Sequence, residues 1–227
     1  MGAIYKSDKH KTDISKSVDR FSYEQALKDV YPIAGIDEAG RGPLAGPVIA
    51  AAVILPLDWY FKGLPDELIG LNDSKQLSPQ KREYFYNILT ASSLIKWAYA
   101  LVESDEIDKI NILNATHKAM ALAINKLSPQ PKHLLIDGNP VKSLTIPQTA
   151  IVKGDSLSYS IAAASVIAKV TRDKMMMEYD KIYPNYGFAV HKGYGTKQHL
   201  NALQNYGATP IHRKSFAPLN NQQPELF

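Results

Sequence analysis

The chain has 227 residues, enough for one large domain with a real core by the rule of ~100–200 residues per domain. Hydrophobic residues at 45% and charged residues at 21% exclude a disordered, collagenous or coiled-coil chain, and the absence of cysteine excludes disulfides, thiolate catalysis and cysteine-based zinc sites. A formal net charge of +4 permits a polyanionic partner without demanding one, and no apolar run approaches the ~18 residues of a spanning helix or forms a secretory leader, so a cytoplasmic location without membrane contact is expected.

Residues 1–30 are polar and mildly basic, with Lys6, Lys9, Lys11, Lys16 and Arg20 against Asp8, Asp13 and Asp19. They read as a flexible extension, ending in a short helix over 23–30. Residues 33–37 and 48–55 are short apolar runs rich in β-branched residues, hence two strands, separated by the glycine- and proline-punctuated AGRGPLAGP. Ser78 and Pro79 open a helix to about residue 90, with proline at the first helical position. A strand over 94–102 follows, then a helix over 105–127 with Ile107, Ile110, Leu113, Met120, Ala121, Ile124 and Leu127 at helical spacing. Residues 133–137 and 149–152 give two more short strands. The helix predicted over 158–183 carries small residues at Ser160, Ala164 and Ala168, a stripe that lets it lie close against a sheet. A short helix over 196–205 precedes an irregular stretch and an exposed tail over 217–227. Strands interleaved with helices predict a mixed α/β domain over 31–216.

Burying a carboxylate costs several kcal/mol unless a metal or a partner compensates it, so acids that interrupt apolar strands point to chemistry. Three places qualify. Asp37 and Glu38 end the run IAGI, Asp137 ends HLLI, and Asp155 follows the strand AIV and stands at the mouth of the small-residue helix. All lie at C-terminal ends of strands, where open α/β sheets build their sites. Each place also has an ordinary reading: Asp137-Gly-Asn-Pro is turn chemistry, and Asp155 or Ser156 caps a helix. Adjacent Asp37 and Glu38 repel each other and gain nothing without a cation. Four carboxylates on strand ends suit hard divalent cations, and two such ions suit phosphodiester hydrolysis. Neighbours on a strand point to opposite faces, so Asp37 and Glu38 share a site only if the strand bends or ends there.

The loop Gly40, Gly42, Gly46 misses the dinucleotide spacing by one residue, Pro43 blocks helix entry, and no Gly-Lys-Ser/Thr follows. Two readings remain: a loop whose backbone N–H groups and Arg41 approach a sugar or phosphate closely, or a tight turn with a surface arginine.

The strings GIDEAGRGPLAGPVIAAAVIL, LIDGN, KGDSLSYSIAAASVIAKVTRD and HKGYGT, in this order, resemble the ribonuclease HII family from about residue 31 to about residue 216. The resemblance implies a ribonuclease H-like fold, a mixed central sheet flanked by helices, with a small C-terminal helical extension. It implies an endonuclease that hydrolyses the RNA strand of RNA/DNA hybrids and nicks 5′ to a single ribonucleotide in duplex DNA, leaving 3′-hydroxyl and 5′-phosphate ends. On the family pattern, Asp37, Glu38, Asp137 and Asp155 are the catalytic metal ligands, for two Mg²⁺ or Mn²⁺ ions. Gly40, Arg41 and Gly42 read the ribose 2′-hydroxyl, Tyr194 stacks on the neighbouring sugar, and Lys75 in LNDSKQLS contacts a phosphate. Arg172, Arg213 and Lys214 are further candidates for phosphate contacts, or solvated surface charges. The related ribonuclease HIII is disfavoured, because its loop normally carries lysine where Arg41 stands and because only about 30 residues precede the catalytic strand. The chain is expected to act as a monomer. Gln223, Pro224, Glu225, Leu226 and Phe227 resemble the Gln-x-x-Leu-Phe peptides that dock on the bacterial sliding clamp, with Pro224 departing from the usual leucine.

Overall fold

The computed structural model describes residues 19–222. Five strands, β1 (Ile33–Ala39), β2 (Val48–Ile54), β3 (Lys96–Val102), β4 (His133–Asp137) and β5 (Gln148–Ile151), form one sheet in the order β3-β2-β1-β4-β5. The β1–β2 and β2–β3 pairs are antiparallel, and β1–β4 and β4–β5 are parallel. The sheet is therefore mixed, and β1 is the strand where the two modes meet. Its C-terminal end and that of β4 lie side by side, through Ile36 opposite Ile136.

Helices cover both faces. They are α1 (Ser22–Ala26), α2 (Trp59–Lys62), α3 (Pro79–Ala91), α4 (Ser104–Asn125), α5 (Tyr159–Ile182), α6 (Phe188–His191) and α7 (Lys197–Tyr206). The sidedness follows from strand alternation. Ile33 with Ile49, Ala51 and Val53 faces α5 and α3, whereas Ala34 and Ile36 with Val48, Ala50 and Ala52 face α4. Ser78 caps α3, Ser158 caps α5 and Thr196 caps α7, each hydroxyl accepting a backbone N–H of the first turn. A third cluster, including Leu44, Met176, Phe188, Leu203 and Ile211, packs the C-terminal helical part onto the glycine loop.

The small-residue stripe of α5 does what its spacing predicts. At Gly35 in β1 a Cβ would stand 2.1 Å from the backbone carbon of Ser160, so strand and helix backbones touch there. The helix predicted over 105–127 is instead broken at Asn111, whose φ of 67° lies outside the helical region. The Asn111 side chain accepts the Asn114 N–H at 3.0 Å and so caps the second segment.

Two expected boundaries need correction. Residues 19–30 are not a loose leader: Phe21 is buried against Tyr60 and Tyr159, and buried Glu24 accepts from the Ser158 hydroxyl at 2.6 Å and the Ser160 N–H at 3.1 Å. The packed body therefore starts before Tyr31. At the other end Leu219 is buried in the third cluster, so the exposed tail does not begin at Ala217. The remainder of the predicted extension, 1–18, and the clamp-like residues 223–227 lie outside the described residues.

The Gly35 contact generates a stability prediction. Gly35→Ala sets a methyl group against backbone that cannot move aside, and urea denaturation is expected to show a loss of ~1–3 kcal/mol, the usual range for overpacking.

Candidate active site

β1 runs as a regular strand through Asp37 and Glu38 and stays paired to β2 as far as Ala39 opposite Ile49. It neither bends nor ends between the two acids, so their side chains leave opposite faces. Asp37 meets Asp137, at the end of β4, and Asp155, in the single turn of 3₁₀ helix Gly154–Ser156. One carboxylate oxygen from each of these three lies within 4.8 Å of the others. Glu38 stands outside this triad: it borders both the space it shares with Asp137, Thr116 and His117 and the cleft lined by Ser74, Lys75 and Tyr194, and its Oε1 accepts from Arg41 Nη1 at 3.3 Å. Three of the four predicted ligands thus converge, and the fourth stands next to Asp137 at the edge of the cleft.

Backbone groups hold two of the three aspartates in place. Asp37 Oδ1 accepts the Glu38 N–H at 2.6 Å, and Asp137 Oδ1 accepts the Gly154 N–H at 2.7 Å, tying the β4 end to the turn that carries Asp155. That turn sits tight on α5, because a Cβ on Gly154 would come within 2.6 Å of Ile161 Cδ1.

Crowding makes the cluster unfavourable when fully charged. Asp37 is 3% exposed and Asp155 is 5% exposed. Burial, then repulsion from Glu38 and Asp137, pushes the Asp37 carboxyl well above the ordinary range. Burial, then Asp137 and Asp73, pushes Asp155 up to about 6. Burial also raises Glu38, although Arg41 pulls it back. Lys75 answers from across the cleft: burial draws its ammonium down, but Asp37, Asp73, Asp155 and Asp137 together outweigh that and hold its pKa up. Three oxygen donors, dry and mutually repelling, fit a hard divalent cation and match poorly the metals that prefer sulfur or imidazole.

Beside the acids lies a cleft of about 280 Å³ bounded by Gly40, Arg41, Gly42, Lys75 and Tyr194, so every predicted substrate-binding residue borders one space. Gly42 and the half-exposed Tyr194 face each other across it, the Tyr194 ring lying 3.7 Å from where a Gly42 Cβ would be. The other two loop glycines answer to the protein's own packing. At Gly40, with φ of 97°, a Cβ would stand 2.1 Å from Arg172 Nε, and at Gly46 it would stand 2.4 Å from Met176 Sδ.

Arg172 and Arg213 cannot contact phosphates from where they sit, being 1% and 0% exposed. Their forks grip carbonyls instead. Arg172 donates to Pro47, Lys192 and Ala45 at 2.9–3.0 Å, and Arg213 to Gly46, Arg41 and Gly40 at 2.6–3.0 Å. The glycine loop is thereby fastened from below by two buried cations, and its exposed side at Arg41 and Gly42 is left to the cleft. Lys214 is exposed but lies over Asp108, which accepts its N–H at 2.8 Å.

Two residues acting on the site escaped the sequence reading. Arg20 donates to the Asp155 carbonyl at 2.7 Å and to the Leu71 carbonyl at 2.6 Å while lying 4.5 Å over the Tyr159 ring, so it ties the Asp155 turn to the segment before Asp73. Ser165 of α5 accepts the Ser74 N–H and donates to the Ser74 hydroxyl at 2.8 Å, and its hydroxyl draws the raised Asp37 carboxyl back down. The one available signal for Arg20 was its place beside Phe21 and Tyr23, apolar residues that announce packing.

Comparison with known proteins bears on this arrangement. Residues 34–219 match the family model described as Ribonuclease HII. The chain is 54% identical over 200 residues to the Ribonuclease HII of Geobacillus kaustophilus, covering 88% of this chain and 74% of that protein. It is 54% identical over 204 residues to that of Endomicrobium trichonymphae, covering 88% and 93%. Among solved structures, the ribonuclease H2 of Pyrococcus horikoshii superposes with a TM-score of 0.67 at 28% identity, covering 83% of this chain and 95% of that one.

The raised Asp155 carboxyl fixes the sign of a pH effect. A carboxyl raised by the fold favours the folded state below its unfolded value of 3.8, and that contribution is lost as pH rises through about 6. Asp155→Asn removes the charge, and the new amide can donate to Asp73. In chelator-treated protein the variant is therefore expected to melt above the wild type at pH 8, with the gap closing as pH falls toward ~4; thermal melts across this range check it.

Proposed function

The chain belongs to the ribonuclease HII family and is a type 2 ribonuclease H, and we propose that it nicks duplex DNA 5′ to an embedded ribonucleotide and hydrolyses the RNA strand of RNA/DNA hybrids. The observation that carries this reading is the adjacency of three converging aspartates and a cleft bordered by Gly40, Arg41, Gly42 and Tyr194. Asp37, Asp137 and Asp155 would hold the cation, with Glu38, at the edge of the cleft next to Asp137, completing the set. Mg²⁺ or Mn²⁺ bound there, two ions in this reading, supplies activation of the attacking water and neutralisation of charge on the phosphodiester. In the reaction water adds to phosphorus and the bond to the 3′-oxygen breaks, giving a 3′-hydroxyl and a 5′-phosphate.

The protein's own part is position and charge. The backbone at Gly40, Arg41 and Gly42 reads the 2′-hydroxyl, the group that separates RNA from DNA. Buried Arg213 holds the Gly40 and Arg41 carbonyls and buried Arg172 holds Ala45 and Pro47 further along the loop, a rigidity that suits discrimination by a single hydroxyl. Tyr194 packs on the adjoining sugar from the opposite wall. Lys75, held cationic by the acids around it, meets a phosphate.

The test is a duplex carrying one ribonucleotide, incubated with Mg²⁺ or Mn²⁺ and mapped for the cut. A nick 5′ to the ribonucleotide is expected; end-directed degradation or a cut indifferent to the ribonucleotide contradicts the reading. Asp37→Asn is expected to lower turnover by at least ~10²-fold, the several kcal/mol that a metal site contributes, with duplex binding largely retained.

For the C-terminal residues Gln223, Pro224, Glu225, Leu226 and Phe227, the reading is an address for the sliding clamp, with Leu226 and Phe227 as apolar anchors. Deleting these five residues is expected to abolish clamp binding measured by surface plasmon resonance while leaving the nicking of a short duplex unchanged. Failure of the intact protein to bind a clamp contradicts it.

A further inference from the structure

Three histidines are buried together behind the cleft: His191 at 8%, His199 at 0% and His212 at 1% exposure. The proposed chemistry uses none of them. Their hydrogen bonds dictate where each ring proton sits. The Thr209 N–H donates to His212 Nδ1 at 2.9 Å, so that nitrogen is an acceptor and the His212 proton is on Nε2. Nε2 of His212 faces Nε2 of His199 at 2.9 Å. Two facing nitrogens need one donor and one acceptor, so His199 accepts there and carries its proton on Nδ1. That Nδ1 lies 2.9 Å from the Tyr194 carbonyl oxygen, to which it donates. His191 runs in parallel: the Gly193 N–H donates to its Nδ1 at 3.2 Å, and its Nε2 reaches the Tyr186 carbonyl at 2.7 Å. The His191 and His199 rings stack with centroids 4.6 Å apart.

Both imidazoles thus end on the turn that presents Tyr194. Its side chain is 48% exposed and its ring projects toward Gly42, so its position is set mainly by its backbone. The turn itself has little freedom. Gly193 has φ of 84°, a Cβ there would lie 2.5 Å from the Ala45 carbonyl oxygen, and its own carbonyl accepts the Leu44 N–H at 2.8 Å. The same network therefore reaches both walls of the cleft, the Tyr194 turn and the glycine loop.

We infer that His199, oriented by His212, is a positioning residue that fixes Tyr194 against the glycine loop through its carbonyl. Neutral imidazoles suit this task because each joins a donor to an acceptor across a dry interior, whereas a charged ring would present two donors and break the chain at one end. The Thr196 N–H also reaches the Tyr194 carbonyl at 2.8 Å, so losing His199 loosens the turn without freeing it.

This inference rests on Tyr194 contacting the substrate, and a double-mutant cycle separates the two claims. Cleavage of the single-ribonucleotide duplex is measured for the full-length wild type, Tyr194→Ala, His199→Ala and the double variant, together with His199→Asn, whose amide keeps a donor near the Nδ1 position. If His199 acts through Tyr194, His199→Ala lowers kcat/KM by ~10- to ~100-fold, His199→Asn recovers most of it, and the loss vanishes in the Tyr194→Ala background. A loss that multiplies fully in the double variant overturns the inference, since a merely structural histidine acts whatever stands at 194. A Tyr194→Ala variant as active as wild type overturns the substrate reading instead. Nitrogen-15 NMR of histidine-labelled wild type keeps the test open should the alanine variants fail to fold. The expected tautomers at pH 7 are Nε2–H for His212 and Nδ1–H for His199, and a charged imidazolium at either residue overturns the inference.

Discussion

Three aspartates at the ends of neighbouring elements repel one another in a place with little water, and the surrounding fold is arranged to hold them there. The parallel pairing of β1 with β4 brings Asp37 and Asp137 to the same edge. The Gly154 N–H then binds Asp137 to the Asp155 turn. Burial of side chains that would rather be solvated is tolerated because close packing elsewhere is strong: β1 lies backbone to backbone on α5 at Gly35, with apolar layers on both faces of the sheet. The site stores unfavourable charge that a bound cation would relieve, a common trade of stability for function.

Around that cluster the protein places cations in two distinct ways. Lys75 and Arg41 stand at the cleft and can meet an anionic substrate. Arg172 and Arg213 are withdrawn and use their planar forks as structural ties, satisfying carbonyls that a tight glycine-rich loop cannot pair in regular structure. The net charge of +4 therefore does not measure the attraction felt by a nucleic acid, since part of it is buried in the loop's support.

Much of this was legible in the chain. The strands showed as β-branched runs, the small-residue stripe announced the tight α5 contact, and acids at strand ends marked the site because such residues have no reason to interrupt a core. What could not be read depended on distant partners. Whether Glu38 joins Asp37 turns on β1 continuing to Ala39, which its pairing with β2 decides. Arginines in polar sequence look solvated, and only the fold shows that Arg172 and Arg213 meet carbonyls more than 100 positions away in the chain. Phe21 and Glu24 had no visible anchor until α5 and Tyr60 were folded against them. The break at Asn111 follows from its own side chain capping the next turn, a local option that helical periodicity does not reveal.

The most direct measurement of the central claim is calorimetric titration of Mn²⁺ into the metal-free protein at pH 6 and pH 8, in buffers of different ionisation enthalpy, which counts protons released on binding. If the aspartates form a repelling cluster with Asp155 near 6, binding at pH 6 releases more protons than at pH 8, and Asp37→Asn sharply weakens it. Equal proton release at both pH values, with affinity unchanged in Asp37→Asn, would contradict the account.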